Sequence, residues 1–191
     1  MAQEPVDLSM PDVRPRRRAV FLDRDGVLNA AVVREGRPYP PPSLAEMTLL
    51  PGAEDACARL RAAGFLLIVV TNQPDIARGA AKRGEVDEIN AALQTRLALD
   101  EVCVCPHDDA DGCACRKPKP GLLLAAARRW NIDLTRSFMV GDRWRDIEAG
   151  QAAGCRTAFL DYGYAERRPE RPDFCARSLA AVVFDLIVAT E

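Results

Sequence analysis

"AVFLDRDG", residues 19–26, joins a short apolar run to two aspartates and a glycine. An apolar run without alternation is what a strand buried on both faces of a parallel sheet shows. Asp23 and Asp25 stand two apart on extended backbone, so their side chains lean to the same side. Gly26 then lets the chain turn away sharply. The segment reads as a central strand that delivers a pair of carboxylates beyond its carboxyl end.

The same pattern recurs along the chain. "FLLIVV" (65–70) ends at "TNQ", "SFMVGD" (137–142) enters a loop ahead of Asp146, and "CRTAFLD" (155–161) is a further strand. Helices fall between them. "AEDACARLRAAG" (53–64) sets Ala56, Leu60 and Ala63 on one face and stops at Gly64. "EVDEINAALQTRLAL" (85–99) carries Ile89, Ala92, Leu93 and Leu97 as its stripe, and "GLLLAAARRW" (121–130), "IEAGQAAG" (147–154) and "SLAAVVFDLIVAT" (178–190) follow. "EGRPYPPPSLAEMTLLPG" (35–52) is too broken by proline for a regular element and is expected as a loop near the site entrance. Strands alternating with helices predict an α/β fold, a doubly wound parallel sheet covered on both faces. Residues 1–18 are expected as a flexible N-terminal segment and 19–191 as a single domain, with no internal repeat or linker.

A chain of 191 residues is long enough to bury its own core. Apolar residues make up 48% and charged residues 28%, and the net charge of −2 offers no basic field for nucleic acid or an anionic membrane. The cluster Arg14, Arg16, Arg17 and Arg18 beside the first strand reads as a solvated edge. No apolar run approaches a membrane span and the first residues lack a secretory apolar region, so a cytoplasmic protein is expected. In that compartment grouped cysteines suggest a metal before a disulfide. Cys57, Cys155 and Cys175 are scattered and read as packed or free thiols. The expected state is a monomer.

In such a sheet, ligands bind beyond the carboxyl ends of the strands. Three of those ends carry chemistry: D-x-D-G at 23–26, T-N at 71–72 and G-D-x-x-x-D at 141–146. A lone D-x-D is an ordinary solvated turn, but three furnished strand ends in this order are not. Carboxylates with waters and a substrate phosphate are how Mg²⁺ is held. With one histidine in the chain, Ser-His-Asp or Cys-His catalysis has little material. A carboxylate can itself attack phosphorus and form an aspartyl-phosphate that water later opens. That reaction needs a cation beside the nucleophile and donors for the phosphoryl oxygens, for which Thr71, Asn72 and a lysine from elsewhere are candidates.

"FLDRDGVLN", "VVTNQ", "CRKPKPG" and "MVGDRWRDIEAG" resemble the four ordered motifs of the haloacid dehalogenase (HAD) superfamily, and more narrowly its small capless phosphatases. The resemblance covers roughly residues 19–165. It implies a capless HAD fold, Asp23 as nucleophile and Asp25 as general acid/base. Thr71, Asn72 and Lys117 would bind the phosphoryl group, with Arg24 among the phosphate contacts. Mg²⁺ would be held by Asp23, the carbonyl of Asp25 and Asp142, with Asp146 in support. "TNQPDIARG" (71–79) resembles the branch acting on heptose bisphosphates, in which Arg78 would meet a second phosphate. The implied substrate is a small phosphorylated sugar, the 7-phosphate of a heptose 1,7-bisphosphate being cleaved. Histidinol phosphate is the alternative substrate, and a non-catalytic zinc-stabilised binding protein is the alternative of another class.

One cluster remains, "CVCPHDDADGCACRKPKPG" (103–121). Cys105 with His107 and Cys113 with Cys115 make three thiolates and an imidazole, a set that suits tetrahedral Zn²⁺. Cys103 is an alternative to Cys105, and the resemblance favours Cys105. Four protein ligands leave no open position, so such a zinc is structural. "DDADG" (108–112) lacks a full calcium-loop pattern and reads as a polar turn between the ligand pairs. The zinc loop would fix the base from which Arg116 and Lys117 emerge, with Arg116 pairing an anionic part of the substrate.

Overall fold

A computed structural model describes residues 15–190. Its strands are β1 (Ala19–Leu22), β2 (Val32–Arg34), β3 (Arg37–Tyr39), β4 (Leu66–Asn72), β5 (Glu101–Cys105), β6 (Phe138–Gly141), β7 (Arg156–Leu160) and β8 (Phe174–Ala176). Its helices are α1 (Ala53–Ala62), α2 (Arg83–Arg96), α3 (Gly121–Trp130), α4 (Trp144–Ala153) and α5 (Leu179–Val188). Six strands form one parallel sheet in the order β5-β4-β1-β6-β7-β8.

Side chains alternate across this sheet, and each face is covered. Val20, Leu22, Leu67, Val69, Phe138 and Val140 pack under α1, α2 and α5. Ala19, Phe21, Leu66, Ile68 and Met139 pack under α3 and α4. Every residue of β1 is fully buried, which is why its sequence is apolar throughout; removing a side chain such as Phe21 would cost about 3–5 kcal/mol. The chain runs from β1 outward to β4 and β5, then returns to β6 on the other side of β1. That reversal opens a crevice at the carboxyl ends of β1, β4 and β6, the strands that precede Asp23, carry Thr71 and precede Asp142.

Several expectations change. The proline-rich stretch is not without regular structure: β2 and β3 form an antiparallel hairpin. Glu35 and Gly36 at its tip both have positive φ (51° and 73°), the backbone of a two-residue hairpin turn. Pro38 pairs with Val33, one step beyond the closing pair Arg34–Arg37, where ladder alternation requires no N–H from it. β5 and β8 are additional strands. The helix expected at 147–154 begins earlier, at Trp144, so Asp146 lies in its first turn. On α2 the buried residues are Val86, Ile89, Asn90 and Leu93, and Ala92 is only half-buried.

Of the arginine cluster, Arg14 and the rest of residues 1–14 lie outside the described residues. Arg17 bridges to Ile132, and the Arg18 guanidinium lies 4.5 Å over the Phe65 ring and donates to Ala63 O. The chain is therefore joined to the domain from Arg17, and Arg18 packs as well as solvates. Cys57 and Cys155 are buried and Cys175 is exposed. Among the described residues no helix is long and apolar enough to cross a membrane.

Candidate active site

The floor of the crevice is built from buried charge. The Lys117 ammonium, 1% exposed, lies 2.6 Å from Asp146 Oδ1, 2.9 Å from Asp23 Oδ1 and 2.7 Å from the carbonyl of Val70. Burial alone would drive Lys117 toward neutrality, but Asp146 and Asp23 outweigh it and raise its pKa. The lysine is placed by Asn72, whose amide donates to Lys117 O at 3.0 Å and whose Oδ1 accepts the Lys117 N–H at 3.1 Å. The Lys117–Pro118 bond is cis.

Burial pushes the Asp23 carboxyl up to about 6, against the opposing pull of Lys117 and with Asp146 and Asp25 adding to the rise. Asp142 is raised well above the usual carboxylate range, first by burial and then by Asp23 and Asp146. Both Asp142 oxygens are buried without a hydrogen-bond partner, the nearby Tyr164 hydroxyl only partly favouring their charge. Asp146, by contrast, is fully engaged: Oδ1 faces Lys117 and Oδ2 accepts the Arg143 N–H at 3.0 Å, capping α4. Carboxylate oxygens of Asp23, Asp142 and Asp146 lie within 4.8 Å of one another. Asp142, whose oxygens are bare, and Asp23, whose Oδ1 accepts from Lys117 and the Arg24 N–H, fit a hard divalent cation as ligands, with Asp146 as the neighbour that aligns them. Gly26 (φ 85°) makes the close approach possible: a Cβ there would stand 1.9 Å from Asp142 Oδ2.

Asp25 is held by four hydrogen bonds from three residues. Arg24 Nε and Nη2 reach its two oxygens at 3.1 and 3.0 Å, Asn29 Nδ2 donates at 2.9 Å, and Gln73 Nε2 donates at 2.9 Å. Gln73 also donates to Thr71 Oγ1 at 3.0 Å. Arg24, expected among the phosphate contacts, does not bring its side chain to the cleft. It is 1% exposed and turned inward to Asn90 Oδ1 at 3.0 Å and to Asp25, so it positions a carboxylate and does not reach the cleft. Asn72 is also more occupied than expected, since its side chain is committed to Lys117. Asn29, Gln73 and Asn90 were not anticipated, because an amide carries no motif until the fold brings it to a carboxylate.

Above the floor is a cleft of about 500 Å³ that Asp23, Asp25, Thr71, Asn72, Arg78, Arg116 and Lys117 all line. Its other wall holds Arg37, Tyr39 and Pro40, from the stretch expected near the site entrance, together with residues that sequence reasoning missed: Arg143, Trp144 and Arg145 at the start of α4, and Ala165, Glu166 and Arg167 beyond β7. Most of the arginines are paired. Arg78 reaches both oxygens of Asp108 at 2.7 Å, Arg116 and Arg145 share Asp109 at 2.8 and 3.1 Å, Arg167 meets Glu148 at 2.6 Å, and Arg143 pairs with Glu166. The "DDADG" stretch is the polar turn expected, with a 3₁₀ turn at Asp109–Asp111, and it also organises the cleft arginines.

The second cluster lies beside this cleft. Cys105 is the last residue of β5, and its sulfur lies 3.2 Å from Cys115 Sγ and 3.7 Å from both Cys113 Sγ and His107 Nδ1. Cys115 Sγ is 3.4 Å from Cys113 Sγ and 3.3 Å from His107 Nδ1. Tetrahedral zinc with Zn–S near 2.3 Å would give edges of about 3.8 Å, so these donors fit it after slight expansion. Cys103 does not belong to the set; it is 8% exposed and packs in the core under α3.

The HAD-hydrolase-like family model matches residues 114–182. A D-glycero-beta-D-manno-heptose-1,7-bisphosphate 7-phosphatase of Bordetella bronchiseptica is 35% identical over 184 residues, covering 89% of this chain and 98% of that protein. A D-glycero-D-manno-heptose-1,7-bisphosphate 7-phosphatase of Thermosynechococcus vestitus is 37% identical over 190 residues, covering 87% and 94%. Among solved structures, the B. bronchiseptica D,D-heptose 1,7-bisphosphate phosphatase complexed with magnesium and phosphate superimposes with a TM-score of 0.78 at 34% identity, covering 90% of this chain and 99% of that one.

Proposed function

The chain belongs to the heptose-bisphosphate phosphatases of the HAD-like hydrolases, and we propose that it hydrolyses the 7-phosphate of D-glycero-D-manno-heptose 1,7-bisphosphate. The observation that carries this reading is the buried cluster of Asp23, Asp142, Asp146 and Lys117 under an arginine-lined cleft, on a chain similar to those phosphatases over nearly its whole length.

In this reading Asp23 attacks phosphorus and carries the phosphoryl group as an aspartyl-phosphate until water opens it. Asp25 gives its proton to the leaving sugar oxygen and then takes one from the attacking water. Arg24, Asn29 and Gln73 keep Asp25 in one rotamer for both steps. Lys117 and the Thr71 hydroxyl bind the phosphoryl oxygens, with Lys117 aligned by Asp146 and Asn72. Arg116 and Arg78 face the rest of the substrate, each oriented by a carboxylate of the 108–109 turn. Mg²⁺, held by Asp23, the carbonyl of Asp25 and Asp142, would neutralise charge on the phosphoryl group. Zn²⁺ on Cys105, His107, Cys113 and Cys115 would be structural. A cytoplasmic setting, which keeps thiolates reduced, suits that cluster.

The test is phosphate release, with and without Mg²⁺, from both anomers of the heptose bisphosphate, from histidinol phosphate and from a 3′-phosphorylated oligonucleotide. A clear preference for a heptose bisphosphate is expected; a preference for histidinol phosphate or the oligonucleotide would reassign the substrate.

A further inference from the structure

Resting on the bisphosphate reading above, we propose that Arg37 is a specificity-determining residue that receives the phosphate that is not transferred. Six arginines line the cleft, and five of them are already paired with carboxylates. Arg37 is exposed at the cleft and meets no carboxylate among the described residues. The charge of each paired arginine is shared with its carboxylate, whereas that of Arg37 is not shared with any carboxylate among the described residues. Its planar fork suits bidentate recognition of a phosphate.

The residue is also held in place. Arg37 opens β3 and pairs with Arg34 across the hairpin turn. The turn is docked: Gly36 O accepts the Ala165 N–H at 2.8 Å, and a Cβ on Gly36 would stand 2.9 Å from Ala165 Cβ. Ala165 itself lines the cleft. The hairpin is thus a wall seated on the segment after β7. The reacting phosphoryl belongs on the floor with Asp23 and Lys117, and the hairpin stands among the walls where the other end of the substrate lies.

The experiment compares Arg37→Gln and Arg37→Lys with wild type on two matched pairs: heptose 7-phosphate against heptose 1,7-bisphosphate, and glucose 6-phosphate against glucose 1,6-bisphosphate. Wild type should prefer the bisphosphate. In Arg37→Gln the ratio of kcat/KM for bisphosphate over monophosphate should fall about tenfold or more, the loss of one charge-assisted contact. The loss should lie in KM, and Arg37→Lys should restore part of it. A ratio in Arg37→Gln within roughly twofold of wild type overturns the proposal, as does a wild type with no bisphosphate preference in either pair. If wild type ignores the heptose pair but discriminates the glucose pair, the heptose reading falls while Arg37 is still judged by the glucose ratio.

Discussion

Lys117 and Asp146 face each other across 2.6 Å at 2% side-chain exposure, on elements that lie far apart in the chain. Asp146 also accepts, through its other oxygen, the N–H of Arg143, the residue that caps the start of α4. One carboxylate thus fixes both the start of a helix and the cation that serves the reacting group. Lys117→Met should leave Asp146 and Asp23 buried without a counter-charge, which costs about 3–5 kcal/mol. The drop in Tm should be larger at pH 7.5 than at pH 5, where Asp23 takes up a proton and the repulsion eases. Equal drops at the two pH values would contradict this placement of charge.

Asp25→Asn keeps the shape but removes the proton donor. Turnover should fall roughly 10²–10⁴-fold, and esters with poor leaving groups should suffer most. Phosphate release from nitrophenyl phosphate and from a sugar phosphate measures this; equal slowing of the two would remove Asp25 from the acid role.

The metal-free protein should lose stability as pH rises. Asp23 (about 6) and Asp142 (raised well above the usual value) ionise later in the folded chain than in the unfolded one, where aspartates ionise near pH ~3.9. The Asp23 contribution is therefore fully present below that value and disappears as pH passes through about 6, and the Asp142 contribution is lost in the same direction as pH rises. Bound Mg²⁺ requires the ionised carboxylates, so it should raise Tm more at pH 7.5 than at pH 5. Melting curves of stripped protein with and without Mg²⁺ decide this, and a shift independent of pH would count against the cluster as the cation site.

The thiolate cluster makes a separate prediction. Cys113→Ser or His107→Ala should lower zinc content well below one per chain and lower Tm, since part of the metal-binding free energy is local folding energy. Activity should fall through displacement of Lys117 and Arg116, and excess Mg²⁺ should not restore it. A zinc-free Cys113→Ser variant with unchanged Tm and turnover would leave the structural role unsupported.

The parts legible in the sequence were those whose environment is uniform. β1, β4 and β6 are buried on both faces, so their composition alone marks them, and their polar terminations mark the site. β5 was hidden because it lies at the sheet edge and mixes Glu101 with two cysteines. The hairpin was hidden because proline reads as a breaker, whereas a two-stranded ribbon needs an N–H only at alternate positions. Arg24 was expected among the phosphate contacts only through the family resemblance, and the packing of α2, which brings Asn90 to it, shows that its side chain faces inward. The pairing of Lys117 with Asp146 is likewise tertiary, and no local spacing announces it.

The most direct test is the mass spectrum of acid-quenched enzyme taken during turnover of the heptose bisphosphate with Mg²⁺. The peptide containing Asp23 should carry one added phosphoryl mass, and the adduct should be absent without Mg²⁺ and in Asp23→Asn, which should have lost turnover by several orders of magnitude. An Asp23→Asn variant that still turns over within about tenfold of wild type, or an adduct on any other residue, would contradict Asp23 as the nucleophile.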